Sequence, residues 1–166
     1  MGYLSGLELE HAREFIEQAR KVALNSSCGR SRCGSVIVSA NEIIGKGFNS
    51  PPGNLHSQRR CAYDKKNYDA KVSDKSCCVH AEERAIIDAL RNNPLKLNGS
   101  RLYFVRLAEK SDCVQCSGNP WCTICSKMAL DVGIGQFTLV HKAGVCAYST
   151  EEYNTLSFNY ASAVKS

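Results

Sequence analysis

The sequence predicts a layered α/β domain, and three observations carry that prediction. Four stretches read as helices, strand-like runs alternate with the later ones, and 166 residues suffice for one core but not comfortably for two. A single domain over residues 1–166 is therefore expected.

The elements follow in chain order. Residues 7–24 carry Leu7, Phe15, Ile16, Ala19, Val22 and Ala23 at a spacing that suits one buried helical face, and Asn25-Ser26-Ser27 ends it. Val36 to Ser39 and Ile43 to Phe48 read as two strands joined around Ala40-Asn41-Glu42, a hairpin. Asn49 to Cys78 is the least regular stretch. A helix over 80–91 stops at Asn92-Asn93-Pro94, and Arg101 to Leu107 is a third strand. A helix over 122–131 closes at Gly133, and Gln136 to His141 is a fourth strand. Ser149 and Glu152 have capping-box spacing and open a last helix that runs to about Ala163.

Composition narrows the class of protein. The formal charge of +5 favours phosphorylated or nucleic-acid partners without selecting either. No run approaches the ~18 apolar residues of a membrane span, and the N-terminus lacks an apolar signal core, so a cytoplasmic protein without membrane contact is expected. Ten cysteines in such a compartment are expected as reduced thiols, partly metal-bound, and not as a disulfide framework.

The chemistry sits in His80-Ala81-Glu82 and Pro120-Trp121-Cys122-Thr123-Ile124-Cys125. One imidazole and two thiolates are three ligands of a tetrahedral Zn²⁺, and the open fourth position is what distinguishes a catalytic zinc from a structural one. Zinc brings the pKa of bound water to about 7, and Glu82, two residues from His80, can move protons without binding metal. Taken singly, Cys122-x-x-Cys125 also fits a redox dithiol and His80 a hydrogen-bonded core histidine. Both motifs fall at helix starts, where free amides and the dipole stabilise thiolates, and three-residue spacing puts both sulfurs on one face.

The pattern H-x-E … P-C-x-x-C resembles that of the zinc-dependent cytidine/deoxycytidylate deaminase superfamily, closest in look to its deoxycytidylate branch. Cys33 to Val38 and Ile43 to Asn49 are similar to the first hairpin of that family. Ala85-Ile86-Ile87 and Ser126 to Ile134 are similar to its two zinc-bearing helices, and the resemblance spans about residues 8–141. It implies a three-layer α-β-α fold around a mixed sheet of four to five strands, and a homo-oligomer. It also implies a catalytic Zn²⁺ on His80, Cys122 and Cys125, with Glu82 as the catalytic acid and base. Asn49, Ala81 and the residue before Cys122 would touch the substrate. That residue is usually Pro in the family, whereas here it is Trp121, which alters the pocket.

The implied reaction is hydrolytic deamination of a nucleobase with release of ammonia, cytosine in a nucleotide or nucleoside being the leading substrate. The loop from Gln58 to Lys75 offers Arg59 and Arg60 as a phosphate clamp. Its Lys65, Lys66, Lys71, Tyr63 and Tyr68 also suit a nucleic-acid strand, which would make the protein an editing deaminase. Asp64, Asp69 and Asp74 among these cations equally suit a solvated surface, and guanine or another aminated heterocycle is a further substrate class. A catalytically silent binding module is the remaining reading. Asn49 could equally be a turn residue before Pro51-Pro52-Gly53.

Of the eight cysteines outside these motifs, seven lie before the first strand, after the second and after the third, so these seven are expected to converge on the active-site end. A second, structural zinc is expected from Cys28, Cys33, Cys113 and Cys116, led by the Cys113-x-x-Cys116 pair. Otherwise they are small buried hydrophobes.

Overall fold

The computed structural model describes residues 1–160, and in it the expected hairpin is the foundation of the sheet. Strands β2 (Cys33–Ser39) and β3 (Glu42–Phe48) pair antiparallel across a tight turn. Ala40 (φ 48°) and Asn41 (φ 62°) both adopt the left-handed conformation that matches the twist of a two-residue hairpin. β4 (Arg101–Leu107) pairs antiparallel with β2, and β6 (Gln136–His141) pairs parallel with β4.

The sheet is larger than the four to five strands expected: it has seven, in the order β1-β7-β6-β4-β2-β3, with β5 beside β4. β1 (Gly2–Tyr3) and β5 (Val114–Gln115) are two residues each, too short to leave a period in sequence. β7 (Gly144–Ser149) is a full strand, antiparallel to β6. Its run Gly-Val-Cys-Ala-Tyr-Ser is rich in small residues, and the Lys142-Ala143 turn before it lacks the usual Asn-Gly signal. β7 therefore adds a strand between the expected fourth strand and the last helix.

Helices cover both faces. Helix α1 (Gly6–Ala23) packs Ala12, Ala19 and Ala23 on the face formed by Val36, Val38, Tyr103, Val105 and Leu107. The alternate residues Ile37, Leu102 and Phe104 face the opposite core with α2 (Ala81–Asn92), α3 (Thr123–Asp131) and α4 (Thr150–Phe158). Period-two alternation thus distributes one sheet between two apolar layers, the three-layer arrangement expected. Ser149 caps α4 by accepting a hydrogen bond from the Glu152 amide at 3.1 Å. This helix ends at Phe158, before the expected end at Ala163, which lies outside the described residues.

Two close approaches fix α2. A Cβ at Gly45 would stand 2.4 Å from the Ala85 carbonyl oxygen, and one at Gly47 would stand 2.2 Å from that of Ala81. Glycine on β3 opposite alanine on α2 lets backbone meet backbone, which sets the helix start beside the end of the strand. Among the described residues no helix is long and apolar enough to cross a membrane.

Candidate active site

The C-terminal ends of β3 and β4 lie at one end of the sheet, because both run antiparallel to β2: Gly34 faces Phe48 and Cys33 faces Arg106. The starts of α2 and α3 meet at this end. His80 is the residue preceding α2, and its amide donates to the Glu83 carboxylate at 2.8 Å. Cys122 precedes α3, and its sulfur accepts from the Cys125 amide at 3.4 Å.

These caps bring three soft donors together. His80 Nδ1 is 3.2 Å from Cys122 Sγ and 3.3 Å from Cys125 Sγ, and the two sulfurs are 2.9 Å apart. The donors fit a metal in their chemistry as well as in their spacing. The hydrogen bond between Cys122 and Cys125 and the His80 ring beside it lower the Cys122 thiol to about 5, while the bond to Cys122 raises His80 to about 9. Cys125 is pushed well above its ordinary value by Cys122 and by burial. Protons shared among three crowded donors are what a divalent cation displaces. Two thiolates and an imidazole suit Zn²⁺, and among the described residues no fourth protein ligand joins this group.

Glu82 is 5 % exposed in the first turn of α2. Burial pushes its carboxyl up to about 7, with a further rise from the Cys122 sulfur. A carboxyl with its proton affinity near neutrality can both accept and donate a proton.

His80, Ala81, Glu82, Asn49 and Trp121 all line one cleft with a cavity volume of about 140 Å³. Trp121 is 44 % exposed at its mouth, with its ring centroid 6.1 Å from that of His80. Asn49 is already committed. Its Oδ1 accepts from the Cys33 amide (2.8 Å) and from the Ser26 hydroxyl (2.6 Å), and its Nδ2 donates to the Ser31 carbonyl (2.9 Å). Asn49 thus ties the 26–33 loop to the end of β3 and has one amide hydrogen left for a ligand. Replacing it by Ala strands the buried Cys33 amide and is expected to lower stability by about 1–3 kcal/mol, read as a lower urea midpoint. An unchanged midpoint with a raised KM would instead make Asn49 a substrate contact.

The cations differ from expectation. Arg59 and Arg60 do not line the cleft: Arg59 donates to the Ser27 carbonyl at 2.6 Å and Arg60 to that of Gln58 at 2.9 Å. Arg30, Lys65 and Arg106 line it instead, and Arg106 Nε is buried without a partner. Arg30 and Arg106 flank β2 and end β4, positions that become a site only when the sheet is assembled. In the basic loop, Tyr63 and Tyr68 face each other at 5.4 Å, and Asp64, Asp69 and Asp74 each accept a backbone amide two residues on.

The surplus cysteines are also redistributed. Cys28, Cys33, Cys61, Cys77 and Cys78 do converge on the cleft, but Cys113 and Cys116 are exposed outside it. The Cys113-x-x-Cys116 pair flanks the extended β5 and not a helix start, and neither residue belongs to a group of three donors among the described residues. Cys33 is buried in the core, and burial raises its thiol to about 11. Of the four residues expected for a second metal, only Cys28 joins a cluster, with Cys61 and Cys78.

A family profile described as the cytidine and deoxycytidylate deaminase zinc-binding region matches residues 9–141. The chain belongs to that family. It is 32 % identical over 80 residues to a deoxycytidylate deaminase of Schizosaccharomyces pombe, a match covering 46 % of this chain and 25 % of that relative. The chain therefore matches about a quarter of that relative's length. The fold is similar to that of the dCMP deaminase of cyanophage S-TIM5 solved with dCMP and dUMP, with a TM-score of 0.55 and 20 % identity, covering 80 % of this chain and 82 % of that one. It is equally similar to a cytidine deaminase from Burkholderia pseudomallei, with a TM-score of 0.55 and 15 % identity over 85 % of this chain and 94 % of that one. These likenesses are of fold; family membership rests on the profile.

Proposed function

We propose that this protein is a single-domain, zinc-dependent hydrolase that deaminates cytosine in a nucleotide or nucleoside, of deoxycytidylate type, and releases ammonia. The observation that carries this reading is the His80, Cys122 and Cys125 donor group with buried Glu82 in the same cleft. Zn²⁺ held by those three residues would supply the Lewis acidity that makes water nucleophilic near neutral pH.

The chain's own residues do the rest. Glu82 takes a proton from the attacking water and delivers it to the ring nitrogen, which draws electrons away from the carbon that bears the amine. The water oxygen bonds to that carbon, Glu82 then moves the remaining hydroxyl proton to the amine, and the carbon–nitrogen bond breaks to release ammonia and leave the carbonyl product. The backbone at Ala81 and the ring of Trp121 hold the base beside the donor group.

Cleft size supports a small substrate. At about 140 Å³ it is below the ~300–1,000 Å³ of sites for drug-sized ligands, so one heterocycle enters and the sugar and phosphate stay at the mouth. There Arg30, Lys65 and Arg106 offer charge to a 5′-phosphate. The mutual packing of Tyr63 and Tyr68 weighs against a polynucleotide, because rings held by each other are poor platforms for bases. Self-association, implied by the resemblance, has a candidate face in Ile87 and Leu90, exposed three residues apart on α2.

The test is ammonia release by zinc-loaded protein from cytidine, deoxycytidine, their monophosphates, guanine, adenosine and short single-stranded DNA and RNA. The monophosphate is expected to be preferred, and Arg106→Ala should raise its KM about tenfold with kcat held, the loss of one charge-assisted contact. Product in oligonucleotides alone would move the function to nucleic-acid editing. Silence on every substrate would leave a binding module.

A further inference from the structure

Cys28, Cys61 and Cys78 place their sulfurs within 4.8 Å of one another, and Cys77 Sγ is 3.3 Å from Cys61 Sγ. Cys61 and Cys78 are separated by 3.8 Å. A tetrahedral zinc with Zn–S bonds of about 2.3 Å has sulfur-to-sulfur edges of about 3.8 Å, so Cys28, Cys61 and Cys78 already have nearly the right size for three of its corners, and Cys77, in contact with Cys61 but outside that mutual group, is the nearest thiol to complete it. The geometry points to a second, structural Zn²⁺ site formed by Cys28, Cys61, Cys77 and Cys78. It goes beyond the deaminase reading and does not depend on which substrate the enzyme takes.

Three features of the surroundings support this assignment. The Arg60 amide donates to Cys77 Sγ at 2.9 Å, and Arg59 Nη1 lies 3.8 Å from Cys61 Sγ; such donors hold thiolates in metal sites. Four thiolates on one Zn²⁺ carry a net double negative charge, and these arginines, with Arg30 bonded to the Cys61 carbonyl at 2.8 Å, offset it. The third feature is topological. Residues 49–79 contain only three short 3₁₀ turns and one bridge, Ser50 with Val79, which is little order for so long a connection. One ion would close the loop between Cys61 and Cys77-Cys78 and fasten it to Cys28 in the α1–β2 loop.

The site has a consequence for catalysis. Cys78 is two residues before His80, and all four cysteines line the cleft. The ion would hold the segment that delivers the first catalytic ligand and would fix the cysteine-lined wall of the cleft. Reduced protein therefore needs no disulfide to order this wall.

Zinc content per chain, by elemental analysis and native mass spectrometry of reduced full-length protein, tests the assignment. Wild type is expected to hold two; Cys61→Ser and Cys28→Ser should each hold one, as should His80→Ala, which empties only the catalytic group. Cys113→Ser/Cys116→Ser should still hold two. One zinc in catalytically active wild type, or two in Cys61→Ser, would overturn the assignment. Alkylation of the unmutated protein gives a second reading that needs no variant to fold: Cys28, Cys61, Cys77 and Cys78 should resist iodoacetamide until a chelator is added, while Cys113 and Cys116 react at once. Rapid alkylation of all six with zinc bound, or a Cys61–Cys77 disulfide in active protein, would also overturn it. Loss of ammonia release with two zincs retained would instead count against the deaminase reading alone.

Discussion

Replacing Glu82 by Gln is expected to reduce ammonia release by about 10³-fold or more while leaving the bound zinc in place. General acid–base catalysis by one side chain is worth about 10²–10⁴-fold, and in the proposed reaction one carboxyl serves two proton transfers. Gln fills the same volume in a buried position and leaves His80, Cys122 and Cys125 untouched. A trivial loss of folding can be distinguished by stability. Burial raises the folded Glu82 carboxyl from 4.5 to about 7, so the folded state favours its protonated form. The stability associated with that proton is complete below pH 4.5 and is lost as pH rises through about 7. In zinc-free protein, Glu82→Gln should therefore match wild type near pH 4.5 and be the more stable of the two above pH 7. Urea titrations at both pH values, with zinc content and turnover, make the check. Turnover near the wild-type rate in the variant would remove Glu82 from the reaction.

The site's inner residues were legible in sequence because their chemistry is local. His80, Glu82, Cys122 and Cys125 sit at helix starts, and a three-residue spacing at a helix start already implies that two side chains converge. What sequence did not disclose depends on chain segments far apart. Arg30 and Arg106 become neighbours only through the Cys33 to Arg106 register of β2 and β4. The convergence of Cys28, Cys33, Cys61, Cys77 and Cys78 on this end followed from their places between strands, but which of them approach one another depends on how the 49–79 loop folds back on the 26–32 loop, and no periodicity signals that return. Cys113-x-x-Cys116 misled for the complementary reason: its spacing suits a helix start or a knuckle, and the chain there is extended. In the fold, β7 was hidden by small residues and a turn without glycine at its centre, although four helices and four longer strands followed their patterns.

Gly47→Ala is expected to damage the enzyme almost as severely as loss of Glu82, by a route that involves no catalytic group. The new methyl would lie 2.2 Å from the Ala81 carbonyl oxygen and 2.4 Å from the Ala85 amide nitrogen. Both are backbone atoms of α2, and neither can rotate away as a side chain end can. Relief requires α2 to retreat from β3 by about 1 Å, toward an ordinary contact, and overpacking of this kind costs about 1–3 kcal/mol. The retreat also carries His80 and Glu82 away from Cys122 and Cys125, which α3 holds in place. A misplacement of about 1 Å at a reacting centre can cost 10²-fold in rate, so activity should fall at least that far even where the protein stays folded. Zinc should dissociate more readily, as its three donors no longer close on one point. Gly2→Ala is the control, because a Cβ there meets nothing within 4 Å. Thermal unfolding, zinc release to a chromogenic chelator and turnover, measured on both variants, separate packing from chemistry. A Gly47→Ala protein with wild-type zinc retention and rate would show that the glycine–alanine contact between β3 and α2 does not set the position of the site.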